Sequence, residues 1–401
     1  MNIGIATGDA VMTHPPIRTV LISGASVAGP SLAFWLSRYG FQPTIVERAK
    51  QLREGGYAVD FRGTSMEALR RMELLDAVKA EATNMGDMYY VDRRDREVAT
   101  MPAAAFSGEL EIMRGDLARI LYDATRAGTE YIFGDSIAEL TDLSDGVEVR
   151  FESGMRRSFD LVIGADGLHS NVRALAFGPE QQFVRDLGLY ASIFTVPNRL
   201  NLDYSGRLFS APGTIAGVYS ARQNREARAL MFFDGDFGDY DYRDVGAQKQ
   251  FVRQRFVGQG WHVPQILADM EFAPDFYFDT ISQVVIERWS RGRVALLGDA
   301  AHCASPLSGM GTGMAVVGAY ILAKELNASR DNHQAAFANY QRKLQPFVDA
   351  SQTLARKAVG GFVPKGKFSI WMRNLMMKLL PLLPVEVMLK ETYAAANAIS
   401  I

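Results

Sequence analysis

VLISGASVAG, residues 20–29, decides how this chain is read. The apolar run Thr19 to Ile22 is a buried parallel strand that ends in small residues and passes into a helical pattern from Ala28 to Tyr39. Gly24 allows a tight turn and Gly29 a close helix–strand approach, so the free N–H groups at the helix start face an anion that the helix dipole favours. Pro30 suits the first turn, where N–H groups lack intrahelical partners. A second strand, Thr44 to Val46, ends in Glu47, twenty-three positions after Gly24, where a carboxylate accepts from an adenosine ribose 2′-hydroxyl. Ser26 replaces the middle glycine of G-x-G-x-x-G; its Cβ limits backbone approach, while its hydroxyl can itself bond a phosphate oxygen. Alone, the pattern fits either a dinucleotide site or an ordinary strand-to-helix turn.

Two later stretches narrow the choice. DLVIGADGLHSNVR, residues 160–173, is another buried strand, with Asp166 at its carboxyl end beside Gly167, which is free to take positive φ. Asp166 suits a ribose or flavin-side hydroxyl, or simple Asp-Gly turn chemistry. VALLGDAAHCASPLSGMGTG, residues 294–313, delivers Gly298-Asp299 from a third strand. Ala300 and Ala301 leave room for a ribityl chain whose hydroxyls Asp299 accepts. Pro306 and Gly309-Met310-Gly311-Thr312-Gly313 lead into a helix through Leu326, whose unpaired N–H groups can stabilise negative charge on a reduced flavin. By itself that run also reads as a flexible glycine loop. In order and spacing, the three stretches together describe one FAD site. His302 and Cys303 read as packed structural residues, since no acid–base partner accompanies them.

The composition, 48% hydrophobic and 22% charged over 401 residues, provides a sizeable globular core. A formal charge of −2, a pI near 6.3 and the lack of any Lys/Arg block argue against nucleic acid and for a small-molecule partner. Cys303 has no second cysteine to pair with, and His14, His169, His262, His302 and His333 lack metal-ligand spacing, so a reducing cytoplasm and no metal site are expected. Residues 1 to 17 carry no signal-peptide pattern and read as a disordered leader. Arg373, Lys378, Pro381 and Pro384 interrupt the most apolar stretch, Phe368 to Leu389, which reads as a capping helix rather than an integral membrane span; peripheral membrane contact through its Met- and Leu-rich face stays open.

Along the chain, Gln51 to Phe61 reads as a loop, Thr64 to Ala80 as a helix, and Met88 to Val91 with Val98 to Met101 as a hairpin. Arg114 to Arg126 is an amphipathic helix, followed by strands at Tyr131 to Phe133, Ile137 to Leu140, Val147 to Phe151 and Leu161 to Ile163. From about 181 to 282, β-branched and aromatic runs predict a largely antiparallel sheet inserted between two halves of the nucleotide-binding region. Helical patterns return at Gly313 to Leu326, Asn332 to Arg356 and Phe368 to Leu389. In the inserted sheet Phe194, Phe209, Tyr219, Met231 and Phe233 offer apolar faces to a substrate, with Arg207 or Arg222 as anchors; each reads equally as core.

With Arg114-x-x-Leu117-x-x-x-Leu121 between them, the three stretches resemble the single-component flavoprotein aromatic hydroxylases, the para-hydroxybenzoate hydroxylase-like class, from residue 18 to about 350. Residues 55–63, GGYAVDFRG, and the Gly-rich third stretch are similar to tetracycline-inactivating monooxygenases and other polyketide-type hydroxylases. The resemblance implies an α/β fold: a bipartite Rossmann-like FAD domain (18–86, 103–180 and 283–330), an inserted largely antiparallel β-sheet substrate domain (87–102 and 181–282) and a C-terminal helical bridge (331–401). Carried over by position, Gly24, Ser26, Val27, Ala28 and Gly29 hold pyrophosphate, and Glu47 the adenosine ribose. Arg53 and Arg114 take the FAD phosphates or ribityl, with Arg48 and Arg62 also in the cofactor set. Asp166 belongs to a shared FAD/NADPH surface, and Asp299 holds the ribityl. Pro306, Gly309, Gly311, Thr312 and Gly313 face the isoalloxazine, with Pro306 also toward the substrate. The sequence departs from the family at Met310 and Gly313, where Gln or Val-Asn types are usual, and at Gly318, where the family has an acidic residue.

The implied chemistry needs tightly bound, non-covalent FAD, with NADPH or NADH as a transient reductant because no second nucleotide fingerprint exists. Oxygen from O2 then passes through a flavin C4a-hydroperoxide to an aromatic or polycyclic molecule, and no protein side chain acts as catalyst. A Baeyer–Villiger oxygenase, or a flavin-binding protein that sequesters an aromatic intermediate without turnover, remains compatible with the same residues. The Trp-x-Trp-x-Ile-Pro pattern of flavin halogenases is absent. Monomer and dimer both remain open.

Overall fold

A strand with apolar side chains on both faces must be covered on both sides. The Thr19–Ser23 strand, whose Val20, Leu21 and Ile22 are fully buried, meets that demand inside a six-stranded sheet. The sheet runs Ser290–Arg291, Val294–Leu296, Leu161–Gly164, Thr19–Ser23, Gln42–Glu47, Glu130–Phe133, and only the Ser290–Arg291 edge pair is antiparallel. Helix Ala28–Arg38 packs against helix Gly311–Ala328, and both contribute to its core. The computed structural model describes residues 17–53, 55–235, 241–379 and 389–401. The expected leader, apart from Ile17, and residues 380–388 of the apolar C-terminal stretch lie outside them.

A seven-stranded sheet follows the order Tyr277–Val284, Val184–Val196, Glu226–Asp234, Thr214–Ala221, Gly206–Ala211, Met88–Val91, Glu97–Met101. Its pairs are antiparallel except Gly206–Ala211 with Met88–Val91. Helices Val245–Phe256 and Val263–Phe272 cover one face through Val252, Phe256, Val263, Ile266 and Met270. Sequence periodicity did not register these helices, because Gln, Lys and Arg crowd the first and aromatic runs surround both.

Two expectations change. The loop read over Gln51 to Phe61 ends as a strand, Ala58–Phe61, paired antiparallel with Leu110–Met113. The helix read over Thr64 to Ala80 is two helices, Thr64–Arg71 and Leu75–Ala80, because Glu73 takes φ 61° and turns the chain between them. Helix His333–Phe362, whose first turn is capped by Asn332 Oδ1 accepting from Ala335 N at 3.0 Å, joins the two sheets. Phe337, Tyr340 and Leu344 sit in the core of the first, and Val359 and Phe362 pack on the second. The chain end returns to the first sheet's side, where Arg71 Nη2 donates to Ile401 O at 2.6 Å. No helix among the described residues is long and apolar enough to cross a membrane.

Candidate active site

The three sequence stretches meet at the carboxyl ends of three adjacent strands, Val294–Leu296, Leu161–Gly164 and Thr19–Ser23, the place where open α/β sheets bind ligands. Gly24 has φ 109°, and a Cβ on it would lie 2.4 Å from Ala165 O. A Cβ on Gly29 would lie 2.0 Å from Gly24 O. Both glycines are therefore required by close backbone approach. Gly298, with φ 64°, brings the third stretch against the first: its missing Cβ would sit 3.1 Å from Ala28 Cβ and 3.6 Å from Ala315 Cβ. Fully buried Arg173 ties the second stretch to the third, donating to Leu168 O at 2.6 Å and Ala300 O at 3.0 Å.

Helices Ala28–Arg38 and Gly311–Ala328 start without an acidic residue or a side-chain cap in the first turn, leaving their positive ends free for negative charge. Val27 is the N-cap of the first and Met310 of the second, so Gly311, Thr312 and Gly313 form the second helix's first turn rather than a free loop. Glu47 reaches back to the strand–helix turn ahead of Val27: Oε2 accepts from Ala25 N at 3.0 Å and Oε1 from Ala49 N at 2.9 Å. Ser26 is half-buried beside it, and Arg48 is exposed.

Arg114 opens helix Arg114–Thr125 and turns its guanidinium inward, 5.5 Å from the Tyr57 ring centroid. Its Nε is buried without a hydrogen-bond partner. Gly56, with φ 131°, makes room for it, since a Cβ there would lie 2.9 Å from that Nε. Burial raises the Asp299 carboxyl above its ordinary range, opposed by a bond to Cys303 and by the Arg114 charge. The Asp299 carboxylate faces the glycine helix start, its Oδ1 3.8 Å from where a Gly311 Cβ would stand. A half-buried arginine with an unpartnered Nε, a carboxylate and an uncapped glycine-rich helix start in one place fit the phosphate, ribityl and ring portions of FAD. Sequence reasoning missed Tyr57 and Tyr277, whose rings lie 5.6 Å apart beside this group; burial pushes the Tyr57 hydroxyl up to about 12.

Other expected residues are placed differently. Arg62 is not free to reach a cofactor phosphate: it is buried, with Nη2 3.4 Å from Asp60 Oδ2, and Asp60 faces Glu111 across the short strand pair. Burial, and then the Asp60 charge, raise the Glu111 carboxyl. Asp60 Oδ2 lies 3.6 Å from the missing Cβ of Gly309, so this cluster underlies the glycine run. Arg53 lines a cleft of about 520 Å³ with Glu81, Met113, Gly115, Asp116 and Arg119, so that cleft includes both chain neighbours of Arg114. Asp166 is engaged internally, accepting from Val172 N at 3.0 Å, Ser23 Oγ at 3.3 Å and Ser170 Oγ. Exposed Pro306 begins a helical turn, Pro306–Ser308, that ends in buried Ser308 next to the site.

The substrate set needs the largest correction. Phe194, Phe209, Met231 and Phe233 point to the sheet face covered by the two helices, where they are core. Strand alternation sends Tyr219 to the opposite face, with Ile193, Leu208 and Ile215; there Tyr277 of the same sheet packs with them, joined by Tyr57 and Leu307 from the first sheet's side. Arg207 pairs with Asp95 and Arg222 with Glu226, so neither stands as an open anchor. Composition identified apolar strand residues but not which of the two faces each occupied.

His302 is buried against Trp289 and Tyr340, and burial lowers its imidazole to about 3. His169 in the second stretch is the more telling histidine. Its Nδ1 lies 2.9 Å from Glu180 Oε1 and its Nε2 3.1 Å from Asp279 Oδ2. Burial opposes its charge, but these carboxylates win and raise the imidazole to about 10, making it a structural cation rather than a base at neutral pH. Gly318, where the family has an acid, lies under helix His333–Phe362: a Cβ there would be 3.0 Å from Leu344 Cδ2, which explains the small residue.

The family model described as FAD binding domain matches residues 17–354. A flavin-dependent monooxygenase of Legionella longbeachae is 38% identical over 87% of this chain and 91% of its own length. Another flavin-dependent monooxygenase, from an unknown prokaryotic organism, is 41% identical over 84% of this chain and 88% of its own. The crystal structure of tetracycline destructase Tet(55) superposes with a TM-score of 0.84 at 36% identity, covering 96% of this chain and 99% of that one. Placed beside the three strand ends and the unpartnered Arg114 Nε, these likenesses give the conclusion that the chain belongs to the FAD binding domain family and is a single-component flavin-dependent monooxygenase.

Proposed function

We propose that the protein consumes NADPH or NADH and inserts one oxygen atom of O2 into an aromatic or polyketide-like molecule, tetracycline-type compounds among them. The observation that carries this reading is half-buried Arg114, whose buried Nε has no hydrogen-bond partner, beside Asp299 and the uncapped Gly311 helix start. Bound flavin supplies reduction of O2 and oxygen transfer. This chain supplies binding and orientation: Arg114 and the Ala28–Arg38 helix start neutralise phosphate, Asp299 takes ribityl hydroxyls, and the Gly311 helix start favours negative charge on the ring. Tyr57, Tyr277 and Tyr219 supply aromatic surface over which a planar substrate is held and water excluded.

The test is substrate-stimulated NADPH oxidation by the FAD-loaded protein across phenolic, quinone and tetracycline-type compounds, with product mass measured. A product heavier by one oxygen atom supports the reading. Tight ligand binding with no stimulated oxidation would instead support sequestration of an aromatic intermediate.

A further inference from the structure

We infer that helix Lys367–Leu379 is a docking surface for an anionic lipid bilayer. The helix is amphipathic the wrong way round for a globular surface. Phe368, Trp371, Met372, Leu375, Met376 and Leu379 recur at helical spacing along one side, and all are exposed, Phe368 by 67% and Trp371 and Met376 by 59% each. The inward side carries polar groups. Arg373 lies 3.9 Å over the Tyr90 ring centroid and donates from Nη1 to Ser210 Oγ at 2.9 Å, and from Nη2 to Asn374 Oδ1 at 3.0 Å. Met377 adds the apolar contact that seats the helix on the second sheet's core. These inward bonds fix the helix with its apolar stripe facing out.

Charge selects the occupant. Lys365, Lys367 and Lys378 stand exposed around the stripe. In sequence no Asp or Glu occurs between Asp349 and Glu386; of the six cations there, Lys357 pairs with Glu391, Arg356 bonds Gln283 and Arg373 turns inward, which leaves Lys365, Lys367 and Lys378 as the exposed rim. An isologous second copy would bring lysine rim against lysine rim. An anionic bilayer satisfies both features: Phe, Trp, Met and Leu enter the acyl boundary while the lysines meet lipid phosphates. At 13 residues the helix is too short to cross and lies in the plane of the surface.

The FAD-loaded full chain is mixed with vesicles of phosphatidylcholine alone or of equal parts phosphatidylcholine and phosphatidylglycerol, and sedimented. Wild-type protein is expected in the pellet with anionic vesicles and mostly in the supernatant with neutral ones. Lys367→Gln with Lys378→Gln should weaken anionic-vesicle partitioning roughly thirtyfold. Trp371→Ser with Met376→Ser should abolish it. Both substituted pairs are exposed, so flavin absorbance and thermal midpoint should stay at wild-type values. Wild-type protein that remains in the supernatant with anionic vesicles, or variants that pellet like wild type, would overturn the inference. So would a lipid-free dimer broken by the Trp371/Met376 substitutions without vesicle binding, which would give the face to a second copy.

Discussion

At the scale of single residues, the glycines of the first stretch were readable because their requirement is local. A turn that drives Gly24 to positive φ and a helix that presses Gly29 onto Gly24 O leave no room for a Cβ, whatever the rest of the fold does. Asp299 was readable for a related reason, since it follows a strand end directly. Arg114 was legible as a motif residue, but its orphaned Nε beside Tyr57 depends on a chain segment nearly sixty positions away. Asp299→Ala is expected to weaken FAD retention by on the order of 2 kcal/mol, through loss of a charge-assisted hydrogen bond, as measured by flavin release on dilution. Unaltered retention would remove Asp299 from the site.

At the scale of elements, the second stretch acts as a brace as well as a strand end. Asp166 accepts bonds from the start of helix Asn171–Ala176, Arg173 reaches the third stretch, and His169 bridges Glu180 and Asp279. Folding raises the His169 imidazole from 6.5 to about 10, so the folded state holds its proton more tightly. Stability from this bridge is complete below pH 6.5 and fades as pH rises through 10. His169→Gln should therefore lower the unfolding free energy at pH 6 by on the order of 2 kcal/mol, read as a lower thermal midpoint, and the gap from wild type should close near pH 10. A gap constant with pH would show that packing on Tyr242, whose ring centroid lies 4.1 Å away, matters more than charge. Such a bridge escaped sequence reading because Glu180 and Asp279 belong to other elements; the Glu73 turn and the Ala58–Phe61 strand escaped because neither changes apolar periodicity.

At the scale of the molecule, the two-faced sheet separates packing from chemistry. Phe233 is fully buried under helix Val245–Phe256, its ring 5.6 Å from Phe256. Phe233→Ala should destabilise by roughly 3–5 kcal/mol while leaving the substrate KM of the remaining folded enzyme unchanged. A KM change of tenfold without loss of stability would return Phe233 to the pocket. Helix His333–Phe362 spans both sheets, so the flavin side and the Tyr219 face are held in one packed body.

The order of three strand-turn stretches, each ending in small or acidic residues, was enough to declare a flavin-binding α/β chain, because strand, turn and helix-start requirements act over a few residues. Which sheet face each aromatic side chain takes, which residues surround the Arg114 Nε and which helix turns its apolar stripe outward were decided only by tertiary structure. Those outcomes depend on which distant surfaces meet, and alternation or periodicity along one segment carries no record of what packs against either of its faces.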